Sequence, residues 1–288
     1  IQYDEPFADP ASIPLYQLSL ACSKDKRVIL QGDGGDELFA GYRRYNVMQN
    51  YWFWKLSSKV YPYISNKRWK ERMKRIEFVL NKTKGADMLA YFLTEEVPYK
   101  HPMNIFTNEF RKSIHKANWK EDYQNFYKKY NNLDRVQNLL FSDTEILLPN
   151  RFLEKVDKAT MLTSIEARVP FLDNDLAQFA FSLPSSMKVR RGSKKFLLKK
   201  AMEKHIPHEI LYGPKRGFDV PYREWLRSDL YDFAREVFSS MDFDVLDKNA
   251  LLQMLEDHKN RKADYSNTLW KSLVLAHWID HYKSKIIF

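Results

Sequence analysis

Hydrophobic and polar positions along this chain recur mostly at helical spacing. A turn-rich start carries Pro6, Pro10 and the acids Asp4, Glu5 and Asp9. The run IPLYQLSLACSKDK then reads as a helix from about Ser12 or Ile13. Ser12 is its expected N-cap, Pro14 sits in the first turn, and Leu15, Leu18 and Cys22 mark one face. Residues 27–31 read as the end of a buried strand, because Val28, Ile29 and Leu30 are apolar in succession. Helical patterning takes over near Glu37. Residues 46–61 hold Tyr51, Trp52, Phe53 and Trp54, suited to core packing or, alternatively, to a base-stacking platform. Residues 67–84 set eight Lys/Arg against two Glu, with Trp69, Met73, Ile76, Phe78, Val79 and Leu80 between them. That predicts an amphipathic basic helix, either a solvated face or a surface for nucleic acid or membrane.

Further along, residues 85–132 predict shorter helices broken at Pro98 and Pro102, with a loose polar end at YNNLD. A stronger helix over 133–148 is interrupted at Pro149-Asn150 and resumes over 151–161. ARVPFLD is a short extended piece, and the helix after it stops at Pro184. Residues 193–205 predict a helix with Ser193 as N-cap. Residues 213–227 form a loop leading into a helix at Tyr222 or Arg223, and two more helices cover about 247–260 and 266–284. A helix followed by a strand is the closing part of a right-handed parallel crossover. The expected class is therefore α/β, mostly helical.

Composition changes this picture little. With 288 residues and 44% hydrophobic content, the chain can bury a sizeable core. Its single cysteine, Cys22, excludes an internal disulfide and fits a reducing, cytoplasmic setting. No run approaches the roughly 18 apolar residues of a membrane span. The net charge of +10 fits nucleic acid, phosphate-bearing ligands, or charge spread over helix surfaces. The chain begins at Ile1 within a turn, as a piece of a longer protein would.

Candidate chemistry concentrates in QGDGGDELFAGYRRY, where Gly32, Gly34 and Gly35 fall within four residues beside Asp33, Asp36 and Glu37. A strand that ends in a Gly-rich turn and restarts as a helix is where an α/β fold holds its ligand. The string lacks the GK[ST] of a Walker loop, and Glu37 fills the last position of the dinucleotide spacing. Asp33 and Asp36 would repel a bare phosphate. They make sense if a hard cation such as Mg²⁺ lies between carboxylate and phosphate, or if one is a proton acceptor; the plain alternative is a helix N-cap. Lys194 and Lys195 stand at a helix start, where the dipole disfavours cations, and could meet a phosphate or simply face solvent. Asp157 and Lys158 read as a local pair or a site pair. No HExxH spacing occurs among the seven histidines.

QGDGGDELFAGYRRY resembles the SGDGGDELFAGY signature of the glutamine-hydrolysing asparagine synthetases. FLEKVDKATMLTSIEARVPFLD, SKKFLLKKA, GPKRGFDVPYREWLR and DEPFADPASIPLY are similar to further blocks of that family, in the same order. The resemblance implies the C-terminal, synthetase-domain part of such an enzyme. Residues 1–45 would be the remnant of an ATP-pyrophosphatase-type parallel sheet and 46–288 the helical region. It implies that ATP adenylates the aspartate side chain, and that ammonia derived from glutamine then attacks the acyl-adenylate. Gln31 and Gly32 would contact ATP through the backbone, and Asp36 would hold Mg²⁺. Asp33 would act beside the acyl group, and Lys195 would stabilise charge at the α-phosphate. The N-terminal glutaminase domain and the SGG-x-DS loop of that family are absent from this sequence, so the piece alone is expected neither to adenylate aspartate nor to hydrolyse glutamine. Gln31 stands where the family has Ser.

Two alternatives keep the same residues in view. One is a related amidotransferase acting on another carboxylate, such as a sugar acid in surface-polysaccharide assembly, or closing a β-lactam. The other is a non-catalytic module using its basic aromatic helices on nucleic acid, against which the presence of Asp33, Asp36 and Lys195 together speaks. A homodimer and small-molecule substrates are the expected partners, and no membrane partner is expected.

Overall fold

Two short strands far apart in the chain meet side by side. In the computed structural model, which describes residues 3–94, 105–114, 118–130, 132–214, 217 and 220–282, β1 (Val28–Leu30) pairs in parallel with β2 (Glu166–Arg168). Each strand follows a helix: α1 (Ser12–Cys22) before β1, and α10 (Glu154–Met161) before β2. The two helices pack together over one face of the pair, burying Leu15, Val156 and Ala159 against Ala167. The expected α/β class with helical excess is what the structure shows.

The expectation of a buried strand needs correction. Val28 is 42% and Leu30 74% exposed. Only alternate side chains of a strand face one layer, and α1 with α10 covers a single face. The first helix also differs in detail. Its N-cap is Ala11, whose N–H donates to Asp9 Oδ1 at 3.0 Å, while Ser12 lies inside the helix and donates its hydroxyl to the Asp9 carbonyl. Leu15 and Ser19 turn inward, and Leu18 faces outward.

Between the strands runs a helical crossover. It comprises α2 (Gly35–Phe39), α3 (Arg43–Gln49), α4 (Tyr51–Ser57), α5 (Lys67–Glu77), α6 (Gly85–Leu93), α7 (Asn108–Ile114), α8 (Glu121–Tyr130) and α9 (Arg135–Ser142). Their core is Tyr45, Val47 and Met48 of α3 with Leu89 and Leu93 of α6, Tyr123 and Phe126 of α8, and Leu139 and Leu140 of α9. Helix starts are fixed by side-chain oxygens on orphan amides. Asn66 accepts from Trp69 N at the start of α5, and Asp134 accepts from Val136 N and Gln137 N at the start of α9. Of the aromatic cluster, Tyr51 and Trp54 pack on the core, whereas Trp52 and Phe53 face outward. Pro98 and Pro102 lie outside the described residues.

Pro149 does not interrupt the chain's helical course. Residues 143–153 continue from α9 as a π-helix and pass directly into α10. A proline lacks an N–H and its ring collides with the carbonyl four residues back. The wider π turn accommodates both.

Past β2 come a 3-10 turn at Pro170–Leu172, α11 (Asn174–Ser182) and α12 (Ser185–Lys188). A hairpin of β3 (Val189–Arg190) and β4 (Ser193–Lys194) leads into α13 (Phe196–Met202). Ser193 is thus in a strand, not at a helix N-cap. After α14 (His208–Leu211) and α15 (Tyr222–Trp225), a second core forms. There α16 (Tyr231–Ser240), α17 (Lys248–Lys259) and α18 (Ser266–Tyr282) bury Phe238, Leu251, Leu255, Leu269 and Leu273. Among the described residues no helix is long and apolar enough to cross a membrane.

Lys188 is fully buried at the end of α12, its amine 5.6 Å from the Phe181 ring centre. Burial lowers its pKa to about 8, against a smaller opposing pull from Asp134. The folded state therefore holds a charge at a cost below about pH 8. That cost fades as pH rises toward the amine's ordinary value near 10.4, where the unfolded chain also loses its proton. Lys188→Met is expected to raise stability at pH 6–7 and to change it little at pH 10.5, measured by urea unfolding.

Candidate active site

β1 delivers the chain to the Gly-rich turn. Gln31 N donates to the Arg168 carbonyl at 2.8 Å, so the strand pairing extends to Gln31 and uses its amide. Gly32 is exposed, and a Cβ built there meets nothing within 4 Å. Gly34 has φ +82° and caps α2, and a Cβ there would lie 2.3 Å from Leu172 Cδ2. Only glycine takes that conformation in that space. Ala40, at φ +60°, ends α2 after five residues.

The turn and the short helix set three carboxylates, Asp33, Asp36 and Glu37, in different surroundings. Asp36 Oδ1 lies 2.9 Å from Lys195 Nζ, both side chains about a quarter exposed or less. This contact brings together two residues that the sequence singled out separately. Lys195 takes φ +53° at the start of α13, a conformation that β-carbon sterics disfavour. Gly41 faces the pair: a Cβ there would fall 1.5 Å from Asp36 Oδ1 and 2.5 Å from Lys195 Cε.

Asp33 is half-buried, and burial pushes its carboxyl above the ordinary range. Lys155 opposes the shift, while Asp36 adds to it. Glu37 is buried and accepts from the Tyr42 hydroxyl at 2.5 Å. Its carboxyl is raised too, by burial first, with Tyr42 opposing. Tyr42 stacks on Phe152. Behind it, Arg44 Nε and Nη2 grip Asp143 at 3.0 and 2.6 Å, and Tyr45 donates to the same carboxylate.

Sequence reasoning missed Lys155 and Asp9. Lys155 Nζ is 3.6 Å and Arg151 Nε 3.2 Å from Asp9 Oδ2. Burial raises the Asp9 carboxyl, but the two cations outweigh it and hold the group below its usual range. The i, i+4 spacing of Arg151 and Lys155 was the available signal. Asp157 and Lys158 do not pair with each other. Lys158 reaches Glu154 at 3.7 Å, and Asp157 is exposed.

The arrangement is an acidic turn faced by cations from two other segments. Among the described residues no three His, Cys, Asp or Glu side chains converge to hold a metal. A divalent cation here would have to share its ligands with substrate phosphates, the usual mode for Mg²⁺ with one or two carboxylates. Asp36, with Asp33 in the same turn, fits that mode.

The family model for asparagine synthase matches residues 2–280. The chain belongs to the asparagine synthase family. It is 30% identical over 283 residues to asparagine synthetase [glutamine-hydrolyzing] 1 of Bacillus subtilis (strain 168), covering 96% of this chain and 44% of that protein. A putative asparagine synthetase of Mycobacterium bovis is 31% identical over 285 residues, covering 96% of the chain and 42% of that protein. The human glutamine-hydrolysing asparagine synthetase is 27% identical over 172 residues, half of this chain and 30% of the human protein. The chain thus spans less than half the length of the two bacterial relatives.

Family membership gives the turn geometry a concrete test. Gly41→Ala is expected to lower stability by about 1–3 kcal/mol through overpacking against the ion pair. Gly32→Ala, facing open space, is expected to stay within about 0.5 kcal/mol. Equal unfolding midpoints for the two variants in urea would contradict the close approach at Gly41.

Proposed function

We propose that this chain is the synthetase part of an asparagine synthase. The observation that carries the reading is the Asp36–Lys195 contact beside Asp33 on one Gly-rich turn. In this reading ATP and aspartate meet at the turn. An oxygen of the aspartate side-chain carboxylate attacks the α-phosphorus, and pyrophosphate leaves. Ammonia derived from glutamine then attacks the acyl carbon, loses a proton, and AMP leaves with the shared oxygen.

Each residue has a task fitted to its surroundings. Gly32, open on its Cα side, lets the backbone approach the nucleotide, and the Gln31 backbone lies beside it. Lys195 stabilises the charge that develops on the α-phosphate and acyl oxygens, where a preplaced cation acts strongly in a partly dry site. Asp33 receives the proton of the attacking ammonia, a role helped by a carboxyl that burial already shifts toward its protonated form. Asp36 would hold Mg²⁺ against the pyrophosphate end, where the ion would neutralise phosphate charge. Lys195 must then exchange its carboxylate partner for substrate oxygens.

Two experiments test this reading. In the protein as its gene encodes it, Lys195→Ala and Asp36→Asn are each expected to cut aspartate-dependent ATP–pyrophosphate exchange by roughly a hundredfold or more. Exchange that is unchanged in both variants would sink the assignment. Exchange driven by a uronic acid and not by aspartate would move it to another acceptor.

The second experiment reads the cost of the buried carboxyl. A raised folded pKa favours folding below the unfolded carboxyl value near 4, and that benefit disappears as pH rises through the folded value. Asp33→Asn should therefore stabilise the chain at pH 7, by about 0.5–1 kcal/mol. The gain should vanish near pH 3.5, even though the variant loses amidation.

A further inference from the structure

Lys155 stands beside the turn, yet the proposed reaction gives it no task. It is the second residue of α10, which joins β2 by a short turn and packs back over the strand pair. The N-terminal end of α10 therefore lies at the carboxyl ends of β1 and β2, where an α/β fold holds its ligand. The Lys155 ammonium is the cation whose field bears most on Asp33. The Lys155 carbonyl accepts from the Tyr3 hydroxyl at 3.3 Å, and the ammonium lies 5.5 Å from the Phe152 ring centre.

That ammonium is largely buried and incompletely partnered. The side chain is 15% exposed, and Asp9, at 3.6 Å, is its only carboxylate within ion-pair reach among the described residues. Such a separation is too long for a hydrogen bond. The three N–H donors of a lysine thus meet no acceptor among the described residues. Asp9, for its part, is satisfied without Lys155. Its Oδ1 accepts from Ala11 N at 3.0 Å, and its Oδ2 accepts from Arg151 Nε at 3.2 Å. A cation largely kept from water with its donors unmet is costly, and an anionic ligand removes that cost.

Two lysines therefore flank the acidic turn, each resting on a carboxylate. Lys195 rests on Asp36, at the end proposed for pyrophosphate and metal. Lys155 rests on Asp9 and faces Asp33, at the end proposed for the acyl group. A phosphate chain held at Asp36 and Lys195 leaves Lys155 to the other reactant. An acceptor with a single carboxylate commits that group to phosphorus and offers Lys155 nothing. An acceptor with two carboxylates has one to spare.

We propose that Lys155 binds the non-reacting carboxylate of a dicarboxylic acceptor, which in aspartate is the α-carboxylate. This rests on the reading of the turn as an amide-forming site. When the acceptor enters, the ammonium leaves Asp9 for the substrate, and Arg151 with Ala11 keeps Asp9 satisfied. One carboxylate replaces another, so no proton moves. Lys155 thereby selects for a second anionic group on the acceptor and not for the group that reacts.

β-Alanine is aspartate without its α-carboxylate, so the two acceptors together isolate this contact. In the protein as its gene encodes it, kcat/KM in ATP–pyrophosphate exchange is expected to be at least about tenfold higher with aspartate than with β-alanine. Lys155→Met should raise the KM for aspartate by about tenfold or more, leave the KM for ATP within about twofold, and bring the two acceptors level. Lys155→Arg, which keeps the charge, should restore most of the preference for aspartate. A merely structural role would lower both acceptors by one factor, and that result overturns the proposal. A rise in the KM for ATP with aspartate unaffected also overturns it, because the ammonium then belongs to the phosphates. Should Lys155→Met fail to fold, the wild-type comparison decides: equal use of β-alanine and aspartate overturns the subsite. Wild-type protein that shows no exchange with aspartate removes the proposed function and this subsite with it. Normal wild-type exchange with an unaltered acceptor preference in Lys155→Met removes the subsite alone.

Discussion

The ion pair between Asp36 and Lys195 is formed against every local preference. Lys195 occupies the left-handed region, which costs a residue with a side chain on the order of 1–3 kcal/mol. Its amine also stands at the start of α13, where the helix dipole repels a cation. Gly41 must lack a Cβ for the two groups to meet. A partly exposed pair returns about 1 kcal/mol or less. Stability alone does not account for such an arrangement. Strain retained at a small turn is what a preorganised charge requires. The contact ties α13 to the turn beside an apolar seam, where Leu197 and Leu198 pack on Leu38 and Phe39 of α2.

A second layer keeps that contact in place. Asp143 is fully buried and receives Arg44 through two nitrogens as well as the Tyr45 hydroxyl. Removing one partner of such a pair costs about 3–5 kcal/mol, whereas an apolar replacement of the whole set is often tolerated. The network thus specifies geometry more than it adds stability. It orients α3, and α3 carries Tyr42, whose hydroxyl fixes Glu37 on α2. Asp33, Asp36 and Glu37 are close in sequence but separated in role. Glu37 is held in the interior, Asp36 meets a lysine, and Asp33 is left with a raised pKa and a distant cation.

The sequence disclosed the turn because its residues are unusual in density and kind. Three glycines and three acids between an apolar run and a helix have few other uses. It disclosed most helices because apolar positions recur at helical spacing, as over α9 and α17, whereas both caps it named, Ser12 and Ser193, were displaced. It failed where tertiary context overrode local pattern. Ser193 looks like an N-cap, but hairpin pairing with Arg190 uses it as a strand residue and moves the helix start onto Lys195. Pro149 looks like a stop, but a π-helix carries the chain through it. The pairing of β1 with β2 was beyond periodicity altogether, because three-residue strands leave no repeat to read. Lys155 stayed hidden because its partner, Asp9, is distant in sequence.

The net charge of +10 was equally uninformative as a total and becomes informative once it is placed. Arg44 is committed to Asp143, Arg151 and Lys155 to Asp9, and Lys195 to Asp36. These basic side chains are spent on carboxylates of the fold and of the site, so the total overstates the charge available to a partner.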